Sequence, residues 1–156
     1  MKGETKWGWY KTIILIWLYI TILELTVDAS CTDTHGYLSD GVTINSPAYP
    51  AYYPYMQSCT WNLSVPIGFE INIESFSYDI EPSSDCSFDY LTIFDGVSRR
   101  SAPKAHLCGQ DTYPGTTSTG RNLFIAFDSD DDENYGGFQF QLSMIGMKRF
   151  WIWFWH

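Results

Sequence analysis

The residues with chemical capacity in this chain are its carboxylates, and the stretch Ile80–Gly96, IEPSSDCSFDYLTIFDG, concentrates them. Glu81, Asp85 and Asp89 flank Cys86, an alternating segment runs from Phe88 to Phe94, and Asp95-Gly96 closes it as a turn. Carboxylates crowded beside a strand raise one another's pKa and cost free energy unless a cation neutralises them. A second acidic run, Asp128–Glu133, follows another alternating segment. Ca²⁺ is a hard cation that takes about six to eight oxygens, and carboxylates from separated segments suit it. An EF-hand reading of Asp128-x-Asp130-x-Asp132 fails, because Glu133 stands where glycine is required and Gln139 where glutamate is required.

Enzymatic chemistry has little support. His-Glu-x-x-His and Gly-x-Ser-x-Gly are absent, and His35, His106 and His156 form no motif. Glu81 and Asp89 are the pair of carboxylates a glycosidase would need, but so small a domain offers no sugar-binding cleft to argue from.

The 156 residues suffice for one modest core. With 45% apolar and 18% aromatic residues the chain reads as packed and globular. A net charge of -9 argues against nucleic acid and anionic lipid as partners and favours a metal cation or a basic protein surface. Lys2, Lys6 and Lys11, the apolar run Ile13–Leu23 and the small-residue step Val27-Asp28-Ala29 read as a secretory signal over residues 1–29. Four cysteines follow: Cys31, Cys59, Cys86 and Cys108. In an oxidising compartment they imply two disulfides with three possible connectivities; the close spacing of a zinc site is missing.

The elements that must position the acids are strands. Trp61, Leu63 and Val65 alternate with Thr60, Asn62 and Ser64, and Phe69–Ser75 alternates again. Leu123, Ile125 and Phe127 form a further apolar face, and Phe138, Phe140 and Leu142 another. Pro47, Pro50 and Pro54 make the segment before Cys59 extended and turn-bearing. Asn62-Leu63-Ser64 is an N-glycosylation sequon on the polar side of its strand, which marks Asn62 as a candidate glycan site. The basic cluster Arg99–Lys104 reads as a solvated loop. No amphipathic helix is legible after residue 30, so the expected fold is an all-β, antiparallel β-sandwich.

Taken together these residues resemble the CUB domain, an extracellular β-sandwich module, from Cys31 to about Leu142. The resemblance is carried by Ser46-Pro-x-Tyr-Pro-x-x-Tyr-Pro54, Cys59-x-Trp61, Pro66-x-Gly68, Ile80-Glu81 and Cys86-x-x-Asp89-Tyr-Leu-x-Ile93. It continues through Asp95-Gly96, Leu107-Cys108-Gly109, Asn122-Leu-x-Ile-x-Phe127, Ser129-Asp130 and Gly137-Phe138. It implies a CUB-like jelly-roll over residues 31–143 with the pairings Cys31–Cys59 and Cys86–Cys108. It also implies a Ca²⁺ site with Glu81, Asp89 and Asp130 as ligands, supported by Tyr53. A carbonyl just beyond the Ser-Asp pair, that of Asp132, would complete the set, with Glu133 or Asn134 filling the place of a family Asn. The function implied is secreted, Ca²⁺-dependent recognition of an extracellular protein that presents a Lys or Arg. Two alternatives accompany it: Ca²⁺-independent carbohydrate or surface binding, as in spermadhesins, and a non-catalytic fragment of a CUB-containing protease. Residues 144–156, rich in tryptophan with Lys148 and Arg149, are expected to lie outside the domain, and any membrane contact is assigned to them.

Overall fold

The architecture comes from a computed structural model, in which residues 34–37 and 41–146 are described. The expected signal segment, Cys31 and Lys148–His156 lie outside the described residues. In chain order the strands are β1 (Thr34–Tyr37), β2 (Val42–Asn45), β3 (Ser58–Ser64), β4 (Phe69–Ile73), β5 (Phe76–Ile80) and β6 (Tyr90–Asp95). They continue as β7 (Ala102–Leu107), β8 (Gly109–Tyr113), β9 (Thr116–Thr117), β10 (Asn122–Asp128) and β11 (Gly137–Gly146). No helix is present among the described residues, so none there is long and apolar enough to cross a membrane.

One sheet has the order β1-β3-β10-β6-β7. In the other, β11 is flanked on one side by β2 and on the other by β4 and β5, which follow each other along it and carry β9 and β8. Most pairings are antiparallel, as expected, but β1 runs parallel to β3, with Thr34 opposite Trp61. A parallel neighbour needs a crossover connection. The chain makes one here by visiting the second sheet as β2 before returning as β3. Strand β11 extends to Gly146, where it still pairs with β4, three residues past the domain end expected at residue 143.

The alternation seen in the sequence becomes the core. Leu123, Ile125 and Phe127 of β10 lie opposite Leu63, Trp61 and Cys59 of β3, all buried. Across the sandwich, Phe138 and Phe140 of β11 stack with centroids 5.7 Å apart. Phe138 also meets Phe127 edge-on at 5.3 Å and Trp61 at 6.2 Å. Aromatic pairs at such distances add to the transfer free energy of their burial. Gly137, just before this cluster, has φ +78°, and a Cβ there would collide with the Ser46 hydroxyl oxygen. That hydroxyl accepts the Phe138 N–H at 3.1 Å, so glycine is what lets β2 dock against the start of β11.

The expectation of a solvated Arg99–Lys104 loop is corrected by β7. This is an edge strand with a bulge at Lys104: Ile93 pairs with Ala105 and Phe94 with Pro103, leaving Lys104 without an opposite residue. Edge strands tolerate proline and lysine because their outer backbone groups need no partner strand. Arg99 grips Asp128 with both terminal guanidinium nitrogens, at 2.7 and 2.9 Å. Lys104 Nζ lies 3.2 Å from Asp95 Oδ2.

Asp95 supplies a pH test of the fold. Burial alone would push its carboxyl up, but the Thr119 N–H, which reaches Oδ1 at 3.0 Å, and Lys104 together hold it below the usual range. A depressed folded-state pKa contributes stability above the unfolded value, near pH 4, and loses it as pH falls through the folded value. Asp95→Asn should therefore cost about 1–2 kcal/mol at pH 7 and almost nothing at pH 2. Denaturant melts of both proteins at the two pH values check this.

Candidate cation site at one end of the sandwich

The acidic residues singled out in the sequence converge at one end of the domain. Glu81 directly follows β5, Asp89 directly precedes β6, and Asp130 lies just beyond β10. One ligand oxygen from each of the three lies within 4.8 Å of the others. Glu81 is only 7% exposed and Asp89 is fully buried, while Asp130 is half-buried.

Several contacts hold these side chains in place. Asp89 Oδ1 accepts the Asp130 N–H at 2.7 Å, tying the start of β6 to the loop after β10. Tyr53 is fully buried, packs edge-on against Phe127 at 5.1 Å, and its hydroxyl oxygen accepts the Glu81 N–H at 3.0 Å. The proline-rich segment is stitched to the loop after β10 by several further bonds, among them Ser129 N–H to the Gln57 carbonyl at 2.9 Å. Ser129 Oγ donates to the Pro54 carbonyl at 3.0 Å and accepts the Gln57 N–H at 2.9 Å. Met56 N–H reaches the Asp130 carbonyl at 2.7 Å, and Tyr53 N–H the Tyr135 carbonyl at 3.1 Å. The Cys86–Cys108 disulfide, with Cα atoms 5.4 Å apart, closes the loop between Glu81 and Asp89 onto the end of β7. Gly109 N–H then bonds the Glu81 carbonyl at 3.2 Å. Cys59 is fully buried, and its expected pairing with Cys31 involves a residue outside the described ones.

The electrostatics of this end are uncompensated. The two ion pairs among the described residues, Arg99–Asp128 and Lys104–Asp95, involve none of the three acids. Glu81 Oε2 and Asp89 Oδ2 are buried oxygens with no hydrogen-bond partner. Two carboxylates about 5 Å apart repel by about 3 kcal/mol at an effective dielectric near 20. Burial first, then Asp89 and Asp130, push the Glu81 carboxyl up. Burial also pushes Asp89 up, against the opposing pull of Tyr53 and the Asp130 N–H. Tyr53 itself is raised, by burial and by the neighbouring Asp89.

The other expected residues divide. Asp132 is exposed; its N–H donates to Asp130 Oδ1 at 2.9 Å and its own carboxylate accepts the Glu133 N–H at 3.1 Å, so its side chain shapes the loop. The resemblance implies a role for Asp132 only through its backbone carbonyl. Asp85 is exposed on the loop beside Cys86. Sequence reasoning passed over Tyr135, whose hydroxyl donates to Glu133 Oε2 at 2.7 Å; Glu133, ahead of burial, pushes that hydroxyl up to about 12. Its only sequence signal was a tyrosine three residues after Asp132.

The fold thus sets a carboxylate cradle at the loop end of a disulfide-stapled β-sandwich. The chain belongs to the CUB domain family, whose profile matches residues 31–142. Over 99 residues it is 39% identical to Bone morphogenetic protein 1 of Xenopus laevis, covering 64% of this chain and 14% of that protein. Over 112 residues it is 33% identical to Cubilin of Canis lupus familiaris, covering 71% of this chain and 3% of that protein. The chain thus spans a small part of the curated relatives it matches. Among solved structures it is similar to the CUB1-EGF-CUB2 domain of human MASP-1/3, with TM-score 0.63 and 27% identity over 70% of this chain and 43% of that one. The MASP-1 CUB2 domain bound to Ca²⁺ shares the fold at TM-score 0.63 and 24% identity, covering 72% of this chain and 99% of that one.

Proposed function

We propose that this domain is a secreted, non-catalytic recognition module whose Glu81, Asp89 and Asp130 hold Ca²⁺. The observation that carries this reading is the pair of buried carboxylate oxygens, Glu81 Oε2 and Asp89 Oδ2, that make no hydrogen bond within one cluster. Buried polar atoms are nearly always paired, and two such charged exceptions side by side call for a cation. The donor set is all oxygen, which suits Ca²⁺ and not the softer transition metals. The Asp132 carbonyl joins the proposed ligands, and Tyr53 fixes the Glu81 backbone beneath them.

A bound ion would supply charge compensation and tie together the three segments that carry the ligands. This chain's own residues do the rest. Tyr53 and the Asp130 N–H orient Glu81 and Asp89, and half-buried Asp130 keeps negative charge at the surface. A partner's Lys or Arg would pair with that exposed charge. Tyr55 and Met56 beside Asp130, and Phe88 beside Asp89, are exposed and add apolar contact around it. Phe88, the expected start of this strand, precedes β6 and is 49% exposed.

The test is a pull-down of extracellular proteins with wild type and Asp89→Asn, in Ca²⁺ and in chelator. Partners should be retained by wild type in Ca²⁺ and lost in the other three arms. Undiminished capture by Asp89→Asn in chelator would place recognition elsewhere on the domain, as the carbohydrate-binding alternative requires.

A further inference from the structure

The outer face of the first sheet carries aromatic side chains beside the sequon. Directly opposite residues of adjacent strands share a face, and the register sets Asn62 of β3 opposite Phe124 of β10, and Phe124 opposite Phe94 of β6. Trp61 and Leu63 point into the core, so this row points outward. Phe124 and Phe94 are half-buried, with ring centroids 6.1 Å apart. Ser64, the hydroxyl residue of the sequon, is on the same face and donates to Asn122 Oδ1 at 2.7 Å.

We propose that an N-linked glycan on Asn62 lies across this row and covers the Phe124 and Phe94 rings. Neighbouring strands are about 4.8 Å apart, so Phe124 lies one spacing from Asn62 and Phe94 about 10 Å away. The first two sugars of a glycan span that distance. One face of a pyranose ring presents C–H groups, which pack on the negative face of an aromatic ring as other apolar groups do. An aromatic row on an outer sheet face is thereby shielded from association. In the attachment step Asn62 Nδ2 attacks the anomeric carbon of a lipid-pyrophosphate-linked oligosaccharide. The C–O bond to pyrophosphate breaks, a C–N bond forms, and Nδ2 gives up one proton to a base. Because Asn62 is half-buried in mid-strand, the transfer belongs to the unfolded chain in the secretory pathway. The inference thus rests on the secreted reading above, and is independent of the Ca²⁺ site.

The test uses the full chain secreted from eukaryotic cells as wild type, Asn62→Gln, Phe124→Ser and the double variant. Intact mass should show a glycan on wild type and on Phe124→Ser only. Loss of the glycan should lower Tm by about 3 °C in the wild-type background, and by less than a third of that where Phe124 is replaced. The proximal N-acetylglucosamine protons of wild type should move upfield in the ring current of Phe124, a readout that needs no variant. Secreted protein unmodified at Asn62, an equal Tm loss in both backgrounds, or unshifted sugar protons would each overturn the proposal.

Discussion

Ca²⁺ added to the wild-type domain should raise its melting temperature, and Asp89→Asn should abolish the rise. An ion that binds only the folded state at a concentration 100-fold above its dissociation constant stabilises by about 2.7 kcal/mol, or about 10 °C for a domain this size. Asparagine is the informative replacement because its carbonyl oxygen can still accept the Asp130 N–H that Asp89 Oδ1 accepts. It removes the charge and one oxygen ligand while leaving the loop contact. In chelator the variant should be at least as stable as wild type, since it no longer buries a carboxylate beside Asp130. The pH dependence in chelator follows from the raised Glu81 and Asp89 carboxyls. A raised folded-state pKa contributes stability that is complete below the unfolded value, near pH 4, and lost as pH rises through the folded value. Acidifying the ion-free domain from pH 7 to 5 should therefore stabilise it, until other groups protonate. Scanning calorimetry in Ca²⁺ and in chelator reads all of this, and identical wild-type melting curves in the two would rule out the cation.

Phe138→Ala should be the most damaging single truncation in the core, at about 3–5 kcal/mol. The ring is fully buried and touches Trp61 and Phe127 from the first sheet and Phe140 from its own. Removing it opens a cavity where the two sheets meet, and the rigid neighbouring rings cannot collapse to fill it. Because Gly137 and Phe138 anchor the return of the Ser-Asp loop into β11, the same variant should also weaken Ca²⁺-dependent stabilisation. Phe138→Leu, which keeps most of the volume, should lose less than half as much. Denaturant unfolding of the two variants gives the comparison. A cost below about 1 kcal/mol for Phe138→Ala would mean that the inter-sheet core is centred on other residues.

The strands that bury one face were legible in the linear order because side chains alternate with period two. Trp61, Leu63 and Val65, then Leu123, Ile125 and Phe127, then Phe138, Phe140 and Leu142 could be assigned inward without knowing their partners, and all nine are buried. The edge strand β7 could not. Pro103 argues against a strand, and the basic residues around it look solvated until Asp128 and Asp95 arrive from other strands. The parallel pairing of β1 was hidden for a related reason: strand direction depends on a crossover through the other sheet, which leaves no periodic mark.

At the acidic end the division is similar. Glu81, Asp89 and Asp130 stood out by type and by motif, and composition alone implied a need for positive charge. Their grouping within 4.8 Å depends on three loops meeting at one end of the sandwich, which is a property of sheet topology. The resemblance leaves Asp85, an acid of the same stretch, outside the ligand set, and the fold keeps it in solvent. The fold also turns Asn62 from a sequon on a polar face into the neighbour of an aromatic row, since Phe124 and Phe94 reach it through register and not through sequence distance. Residue type and alternation are written locally, and so they were readable. The two buried carboxylate oxygens without a hydrogen-bond partner, Glu81 Oε2 and Asp89 Oδ2, are the observation that most directly calls for a cation, and their burial arises only where loops distant in sequence are packed together.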